Sequence, residues 1–538
     1  MTWSSALRKS SGDAKASIAM DDLRKMTQRL KPGFCRPIIK TKDIDWDRLV
    51  AIDFETYYDA DYTLKKLSTS EYVRDPRFKA QMLYLKVGNK PAKIVPANKI
   101  RAELRKINWA THGLLAHHTQ FDGLILSHHY GVVPSYYFDT LSMARGLHSN
   151  EIGAGLDEVS VFYGGEGKIQ DVLESTAGIR DWSPQLFAKV TPYCMNDGEE
   201  MLRVFKEMHS NLPAEEMDLI DVIVRMFCDP VLKLNLPRIQ KELEREVKER
   251  DELLASIVDL APYKADLAVY KKILTKTKER DLPPLEHDQL MVRRIIGSNE
   301  RFADLLRAEG VEPPVKISPA WMKRTKEERE ATLDEKWSYA FAKDDLDFVN
   351  LPDSTELWSD AAAYNLEKPA DVAALAKKSA RLRNLVDARI AVKSTTNITR
   401  AEKLLISGQN GMSLPAYYAY SRAHTHRLGG GDKRNLQNLT RGGELRQSIE
   451  APPGYSLVVG DSGQIECRTN AWLWGQEDLL EAFRTGIDPY CIMATDAYGR
   501  PITKADTIER FVGKVLTLGL GFQMGAPKLQ MTLAKGAL

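Results

Sequence analysis

Cysteine is scarce in this chain: five in 538 residues, at positions 35, 194, 228, 467 and 491, with no two close enough for a paired spacing. That excludes a disulfide framework or a CxxC-type zinc site and points to a reducing, intracellular setting. No apolar run approaches the ~18 residues of a membrane-spanning helix, so no membrane partner is expected. A surplus of one charge is also missing, since 76 Lys and Arg face 74 Asp and Glu. Net charge therefore does not mark a nucleic-acid binder, and any phosphate-binding surface must arise from local segregation of charge. Histidines 112, 117, 118, 128 and 129 lack the HExxH spacing of a zinc hydrolase and read as surface or core residues. There is no internal repeat and no low-complexity tract. Length leaves room for about three domains. The first dozen residues carry Ser, Arg and Lys, but Asp13, Asp21 and Asp22 follow, and a tail is expected there rather than a transit peptide.

What is present begins with acids. Leu49-Val-Ala-Ile-Asp-Phe-Glu-Thr56 reads as a buried strand whose period-two geometry puts Asp53 and Glu55 on one face. Two carboxylates held that close repel, and a divalent cation removes the penalty; two solvated acids on an open face are the equal alternative. Ala116-His-His-Thr-Gln-Phe-Asp122 supplies a third carboxylate. Tyr193-Cys-Met-Asn-Asp197 supplies a fourth, with Tyr193 and Asp197 four apart on one face of a helix. Glu199 and Glu200 read as solvated helix surface.

This set, in this order, resembles the DEDD 3′–5′ exonucleases of the tyrosine subclass. The resemblance implies that Asp53, Glu55, Asp122 and Asp197 are metal ligands, and that Tyr193 orients the attacking water. In that family two metal ions about 4 Å apart activate the water and stabilise the leaving oxygen. The family usually has Asn where His118 stands. Asp139, in Phe-Asp-Thr, is given a structural role.

The middle of the chain reads as helical over 213–227, 237–260 and 382–405, with Ile239, Leu243, Val247, Leu254 and Ile257 recurring at threes and fours. Asn235 is a candidate cap followed by the first-turn Pro237. Lys393, Ser394, Thr396 and Arg400 are candidates for gripping DNA phosphates, against the alternative of ordinary polar residues at helix ends.

Further on, Arg427, Gly429 to Gly431, Arg434, Asn435, Gln437 and Asn438 form a glycine-rich stretch dense in hydrogen-bond donors. An apolar run at 457–459 reads as a short buried strand ending at Gly460, so that Asp461 projects from its carboxyl end. A helix-like segment follows, with Ile465, Ala471, Trp472 and Leu473 available for burial. Taken alone, Asp461 reads as a turn residue or cap sooner than as a metal ligand. Arg510, Lys514, Leu518 and Phe522 recur every four residues, a broad stripe that drifts about 40° per step. It is cationic at one end and apolar at the other.

The octet Asp461-Ser-Gly-Gln-Ile-Glu-Cys-Arg468 resembles motif A of the family-A (DNA polymerase I-like) DNA polymerases, Asp-Tyr-Ser-Gln-Ile-Glu-Leu-Arg. The glycine stretch resembles that family's Thr-Gly-Arg and Asn-Leu-Gln-Asn blocks, with His426 where Gly is usual, and the Arg510 stripe resembles its motif B. The middle of the chain is similar to the phage and prophage branch. The resemblance implies a mixed α/β chain: an RNase H-like exonuclease domain (46–210), a helical thumb and connecting region (211–425), then a partial palm (426–475) and partial fingers (476–538) of a right-hand polymerase. Residues 1–45 are an extension. By position, Asp461 holds Mg2+ (Mn2+ as a substitute), Arg510 and Lys514 bind the incoming dNTP, and Lys514 protonates pyrophosphate. Glu466 excludes a ribose 2′-hydroxyl, Leu518 and Phe522 face the nucleotide where Phe or Tyr is usual, and Arg427, Asn435, Gln437 and Asn438 contact primer–template DNA. Motif C, His-Asp-Glu, does not follow motif B, and His287-Asp-Gln289 is in the wrong region to replace it. The expectation is a split or truncated DNA polymerase with proofreading, acting in replication in a bacterial or phage-infected cytoplasm, its motif C supplied by a second polypeptide. A stand-alone exonuclease with a relic DNA-binding portion, or a non-catalytic DNA-binding subunit, are the alternatives.

Overall fold

Leu49–Thr56 forms strand β1, whose first four residues are all buried. It is the third strand of a five-stranded sheet with Ala80–Val87 (β2), Lys93–Pro96 (β3), Gly113–Ala116 (β4) and Tyr136–Asp139 (β5), in the order β3-β2-β1-β4-β5. β1 runs antiparallel to β2 and parallel to β4. A strand covered on both faces reads as a continuous apolar run, as 49–52 does. The computed structural model describes residues 44–148, 151–167, 169, 172–257, 292–343, 345–354, 357–358, 360–365, 367–423 and 425–537. These fall into two compact units: Gly33–Pro313 with Thr355–Leu457, and one containing Pro314–Ser354 and Val458–Leu538.

In the first unit, helices lie on the sheet. Thr69–Arg74 (α1) opens with a reciprocal cap between Ser68 and Glu71. Thr119–Ile125 (α2) follows β4. Pro184–Met208 (α3) packs on β1 and β2 through a buried stripe that includes Val190, Cys194, Met201 and Phe205. Ala214–Cys228 (α4) packs on α2 and β5. Gly123 permits that approach, because a Cβ there would stand 2.7 Å from the Cys228 sulfur.

The helical half of this unit holds Leu236–Ala255 (α5), Pro369–Lys393 (α6) and Thr396–Gly408 (α7), with α5 packed against the other two. The Asn235 side chain accepts the Arg238 N–H and Pro237 sits in the first turn, as expected. The expected single helix over 382–405 is instead two, broken at Ser394 and Thr395. A run of Ser and Thr offers the backbone competing hydrogen bonds and stiff side chains. Helix 237–260 ends early among the described residues; 258–260, Cys35 and 287–289 lie outside them, as do residues 1–43 of the expected extension.

The second unit contains Ile465–Trp474 (α8), Glu477–Arg484 (α9), Pro489–Tyr498 (α10), Thr507–Gly521 (α11) and Ala526–Ala537 (α12). The expected buried strand at 457–459 is not formed: the segment is irregular and Val459 is 80% exposed. No described strand lies beside it, and an unpaired strand leaves its N–H and C=O groups without partners. Of the four residues expected to bury α8, only Ala471 does; Ile465, Trp472 and Leu473 are exposed. Phe522 caps α11 at its carboxyl end instead of continuing the stripe, because Gly519 and Gly521 in the last turn weaken the helix there.

α1 is tied to α7 by Glu71 and Lys403, 2.9 Å apart and both largely buried, and by Arg74 donating to the Ser407 and Ser413 carbonyls at 3.3 and 3.1 Å. Burial raises the Glu71 carboxyl, but the Ser68 backbone N–H and Lys403 outweigh it and hold it below the ordinary 4.5. A lowered acid stabilises the fold above that ordinary value and loses the contribution as pH falls through the lowered one. Lys403→Met should therefore cost about 1–3 kcal/mol at pH 7, measured by denaturant unfolding, with the difference from wild type shrinking below about pH 4.

Candidate active site

Phe54 is buried in the core, which turns its neighbours Asp53 and Glu55 to the opposite face of β1 near its end. Asp122, fourth residue of α2, is 2% exposed, and its Oδ1 accepts the Phe54 backbone N–H at 3.0 Å. α3 crosses the same strands and brings Tyr193, Cys194 and Asp197. Carboxylate oxygens of Asp53 and Glu55 and the Cys194 sulfur all lie within 4.8 Å of one another. The Tyr193 hydroxyl donates to Asp197. Gly198 explains how a 25-residue helix comes so near: a Cβ at that position would meet the Tyr84 ring on β2 at 2.4 Å.

Electrostatics follow from this crowding. Burial, then the Asp53 charge, push the Asp122 carboxyl well above the ordinary 3.8, partly opposed by the Phe54 N–H. Burial, then Asp197, Glu55 and Asp53, raise the Tyr193 phenol, so it stays a neutral O–H donor. The Cys194 thiol is raised by burial and by Asp53, Glu55 and Asp197 in turn. Asp53 and Glu55 thus act on Asp122, and together with Asp197 they act on Tyr193 and Cys194. Oxygen donors whose mutual repulsion a cation relieves fit Mg2+; the Cys194 sulfur does not suit that ion.

The surrounding residues set the frame. His118 adopts φ 70°, a left-handed conformation that Asn and His tolerate better than most residues. That accounts for His at a position where the resembled family has Asn. Asp139 serves structure, accepting the Thr119 N–H at 2.9 Å and the Ser142 N–H at 3.1 Å. Glu199 and Glu200 are not simply solvated: Glu199 accepts the Tyr84 hydroxyl at 3.0 Å and Glu200 pairs with Arg203 at 2.7 Å.

Near this sheet stands the glycine-rich stretch. Residues 429–430 pair with 418–419, and the Tyr418 carbonyl accepts the Gln120 side chain at 3.0 Å. Ser70 of α1 donates to Asp432, through its N–H at 3.2 Å and its hydroxyl at 2.7 Å. Arg434 is buried and pairs with Asp432. Asn435 is left-handed at φ 41°, Arg427 is exposed, and the Gln437 side chain donates to the Leu428 carbonyl at 3.1 Å. Arg400 donates to the Asn438 carbonyl at 3.0 Å, joining two DNA-contact candidates, while Lys393 is exposed at the end of α6.

In the second unit Asp461 is exposed and Glu466 half-buried at the start of α8. Arg510 pairs with Asp488 at 2.7 Å and lies over the Tyr490 ring. Asp488 also caps α10 and receives Gln464 at 3.1 Å. Lys514 and Phe522 are exposed, and Leu518 is half-buried on α11. Asp488 and Gly198 went unremarked in the sequence, and Cys194 was read only as one of the scattered cysteines. Only Cys194 carried a signal, standing three residues before Asp197 on the same helix face.

Residues 365–536 match the family model described as DNA polymerase family A. DNA polymerase I of Pseudomonas aeruginosa is 35% identical over 113 residues, covering 20% of this chain and 12% of that protein. The thermostable DNA polymerase I of Thermus aquaticus is 34% identical over 114 residues, covering 20% and 14%. The matched stretch thus spans only about an eighth of these curated relatives. A solved structure described as the POL domain of Pol1 from M. smegmatis, in complex with DNA primer-template and dNTP, aligns at TM-score 0.49 and 14% identity. It covers 90% of this chain and 70% of that one. No described helix is long and apolar enough to cross a membrane.

The raised Asp122 carboxyl keeps the stabilisation from its proton below pH 3.8 and loses it as pH rises through the raised value. Without metal at pH 7, Asp122→Asn should therefore raise the unfolding midpoint by roughly 2–4 °C, about 1 kcal/mol, and should lose most of the midpoint gain that Mg2+ gives the wild type. Thermal unfolding by circular dichroism with and without Mg2+ checks both. Gly198→Ala should lower stability by about 1–3 kcal/mol through overpacking against Tyr84, readable in the same melts.

Proposed function

We propose that the chain is a DNA-directed DNA polymerase component with a 3′–5′ proofreading exonuclease of the DEDD type, acting on primer–template DNA with dNTPs in replication. The exonuclease part is supported by the proximity of Asp53 and Glu55 on β1, the charge influence of both on Asp122 of α2, and that of both and Asp197 on Tyr193 of α3. The polymerase part is supported by the family-A match over 365–536.

Asp53, Glu55, Asp122 and Asp197 would hold Mg2+, which when bound supplies a lowered water pKa and charge stabilisation at the scissile phosphate. These carboxylates would set where the ion sits; Asp122 and Asp197 are buried and Asp53 and Glu55 half-buried. Tyr193, held neutral by its surroundings, would orient the attacking water by hydrogen bonding through its hydroxyl. In the second unit Asp461 is the palm carboxylate, Arg510 and Lys514 meet the triphosphate, Glu466 rejects a 2′-hydroxyl, and Leu518 and Phe522 border the base. Arg510 must exchange Asp488 for phosphate to do so. Arg427, Asn435, Gln437, Asn438, Lys393 and Arg400 contact DNA.

A second polypeptide carrying a strand and a further carboxylate belongs to the same proposal. Its support is the exposed apolar run at 457–459, adjoining Asp461, a segment patterned for a sheet it does not enter. Such a chain would be of the phage or prophage type.

The test is shortening of 3′-labelled single-stranded DNA by the purified chain with Mg2+. Asp53→Ala should slow it by at least about 10²-fold, and Tyr193→Phe by about tenfold or more with DNA affinity unchanged. Retained shortening in Asp53→Ala would refute the exonuclease reading. Primer extension by the chain alone would refute the need for a second polypeptide.

A further inference from the structure

A chain with a net charge of only +2 must segregate its cations to hold a polyanion, and it does so at the outer edge of the five-stranded sheet. Between residues 86 and 106 seven Lys and Arg meet one acid, Glu103. We propose that this edge, strand β3 with the short helix Ile100–Leu104 that follows it, binds the sugar–phosphate backbone of duplex DNA. It is apart from the carboxylate centre on β1 and from every residue given a DNA contact above.

The fold collects these charges. β3 is the outermost strand, two places from β1. Ile100 and Leu104 are buried and seat the helix on the core. Its Glu103 carboxylate receives the Lys106 ammonium at 2.5 Å and also the Lys93 ammonium from β3, which draws strand and helix cations to one place. Arg101 donates to the His129 carbonyl at 2.6 Å and lies over the Tyr130 ring, so its guanidinium is fixed. Glu199 stands 3.8 Å from Lys86, and Asp47 accepts the Asn89 side chain at 2.7 Å. Lys90, Lys99 and Arg105 are exposed and, among the described residues, pair with no acid. Arg101 and Arg105 are four apart on one helical face, where like charges destabilise the helix; a bound anion removes that cost. Lysine and proline on an edge strand also deter strand pairing, which accounts for Lys93 and Pro96 but not for Lys99, Arg101 and Arg105. The occupant follows from what the edge lacks. No large apolar side chain from Lys65 to Val132 is exposed, so unpaired bases find no face to stack on, the contact that single-strand binding relies on. At ~3.3 Å per residue β3 is about 10 Å long, the span of roughly three phosphates along one strand of a duplex. Cations set on phosphates fix position without reading bases.

That the polyanion is DNA rests on the function proposed above. The binding itself needs no trimming or extension, and the two are read separately. The test uses the whole chain in EDTA, where no metal-dependent trimming occurs, and follows a fluorescein-labelled blunt duplex by anisotropy against salt. Lys90→Gln, Lys99→Gln and Arg105→Gln together should lower the slope of log affinity against log salt by about 2–3, ~0.9 for each charge removed. They should weaken binding at least about tenfold at low salt, equally for two duplexes of unrelated sequence. Lys90→Arg, Lys99→Arg and Arg105→Lys together, which keep the charge, should keep the wild-type slope. An unchanged slope in the Gln variant overturns the proposal. So does a loss confined to single-stranded DNA, or one confined to poly-L-glutamate, which would assign the edge to unpaired strands or to an acidic polypeptide. Mg2+-dependent trimming with an unchanged slope would sink this face alone; a lowered slope in a chain that neither trims nor extends DNA would leave the face standing and remove the proposed function.

Discussion

The hydrogen bond from the Phe54 N–H to the buried Asp122 carboxylate is the joint on which the first unit depends. It fixes the start of α2 to the end of β1, so that a carboxylate from one element faces two from the other. Left to themselves, like charges in a dry pocket separate. Here the backbone forbids it: β1 is held by strands on both sides, α2 is clamped by α4 through Gly123, and α3 is clamped by Gly198. The cost shows in the Asp122 carboxyl, raised first by burial and then by the Asp53 charge. A cation is the cheapest way to relieve it.

The same frame reaches the stretch that matches the family-A model. The family-A match begins at residue 365, yet its portion up to Leu457 lies in the unit that contains the five-stranded sheet. Gln120, two residues before Asp122, holds the Tyr418 carbonyl, and Ser70 holds Asp432. Asp432, Lys433 and Asn435 all have positive φ, an arrangement that costs energy unless the surroundings over-determine it. The buried pair of Asp432 with Arg434 and the bonds from α1 do so. Residues 418–435 are thereby attached to the frame that carries the acids, and part of the family-A match shares one unit with the five-stranded sheet.

Much of this arrangement was legible in the order of residues, and for identifiable reasons. β1 announced itself because a central strand must be apolar along its length, and Asp53 and Glu55 stood out as charges interrupting that run. Tyr193 and Asp197 were readable as a pair because helix geometry is local. Cys194 and Gly198 were not, since their meaning depends on Asp53 and Tyr84, more than a hundred residues away. Asp488 escaped for the same reason: nothing near it in the chain implies Arg510. Helix breaks were misjudged where apolar periodicity outweighed the hydroxyl-rich Ser394 and Thr395.

The apolar run at 457–459 separates pattern from structure most clearly. Its residues have strand character, but strand formation is collective: backbone groups gain nothing from extension unless a neighbour accepts their bonds. Among the described residues none does, and Val458 and Val459 stay 69% and 80% exposed. The same holds at the end of α8, where Trp472, Leu473 and Trp474 are exposed together. At ~25 cal/mol per Å2, covering two indoles and three aliphatic side chains is worth several kcal/mol, a free energy that isolated surface residues seldom leave unclaimed. Periodicity records the environment for which a segment was selected; exposure records the neighbours it has. At Val458, Val459 and Trp472 to Trp474 the two disagree: the apolar pattern is there, and the described neighbours leave it uncovered.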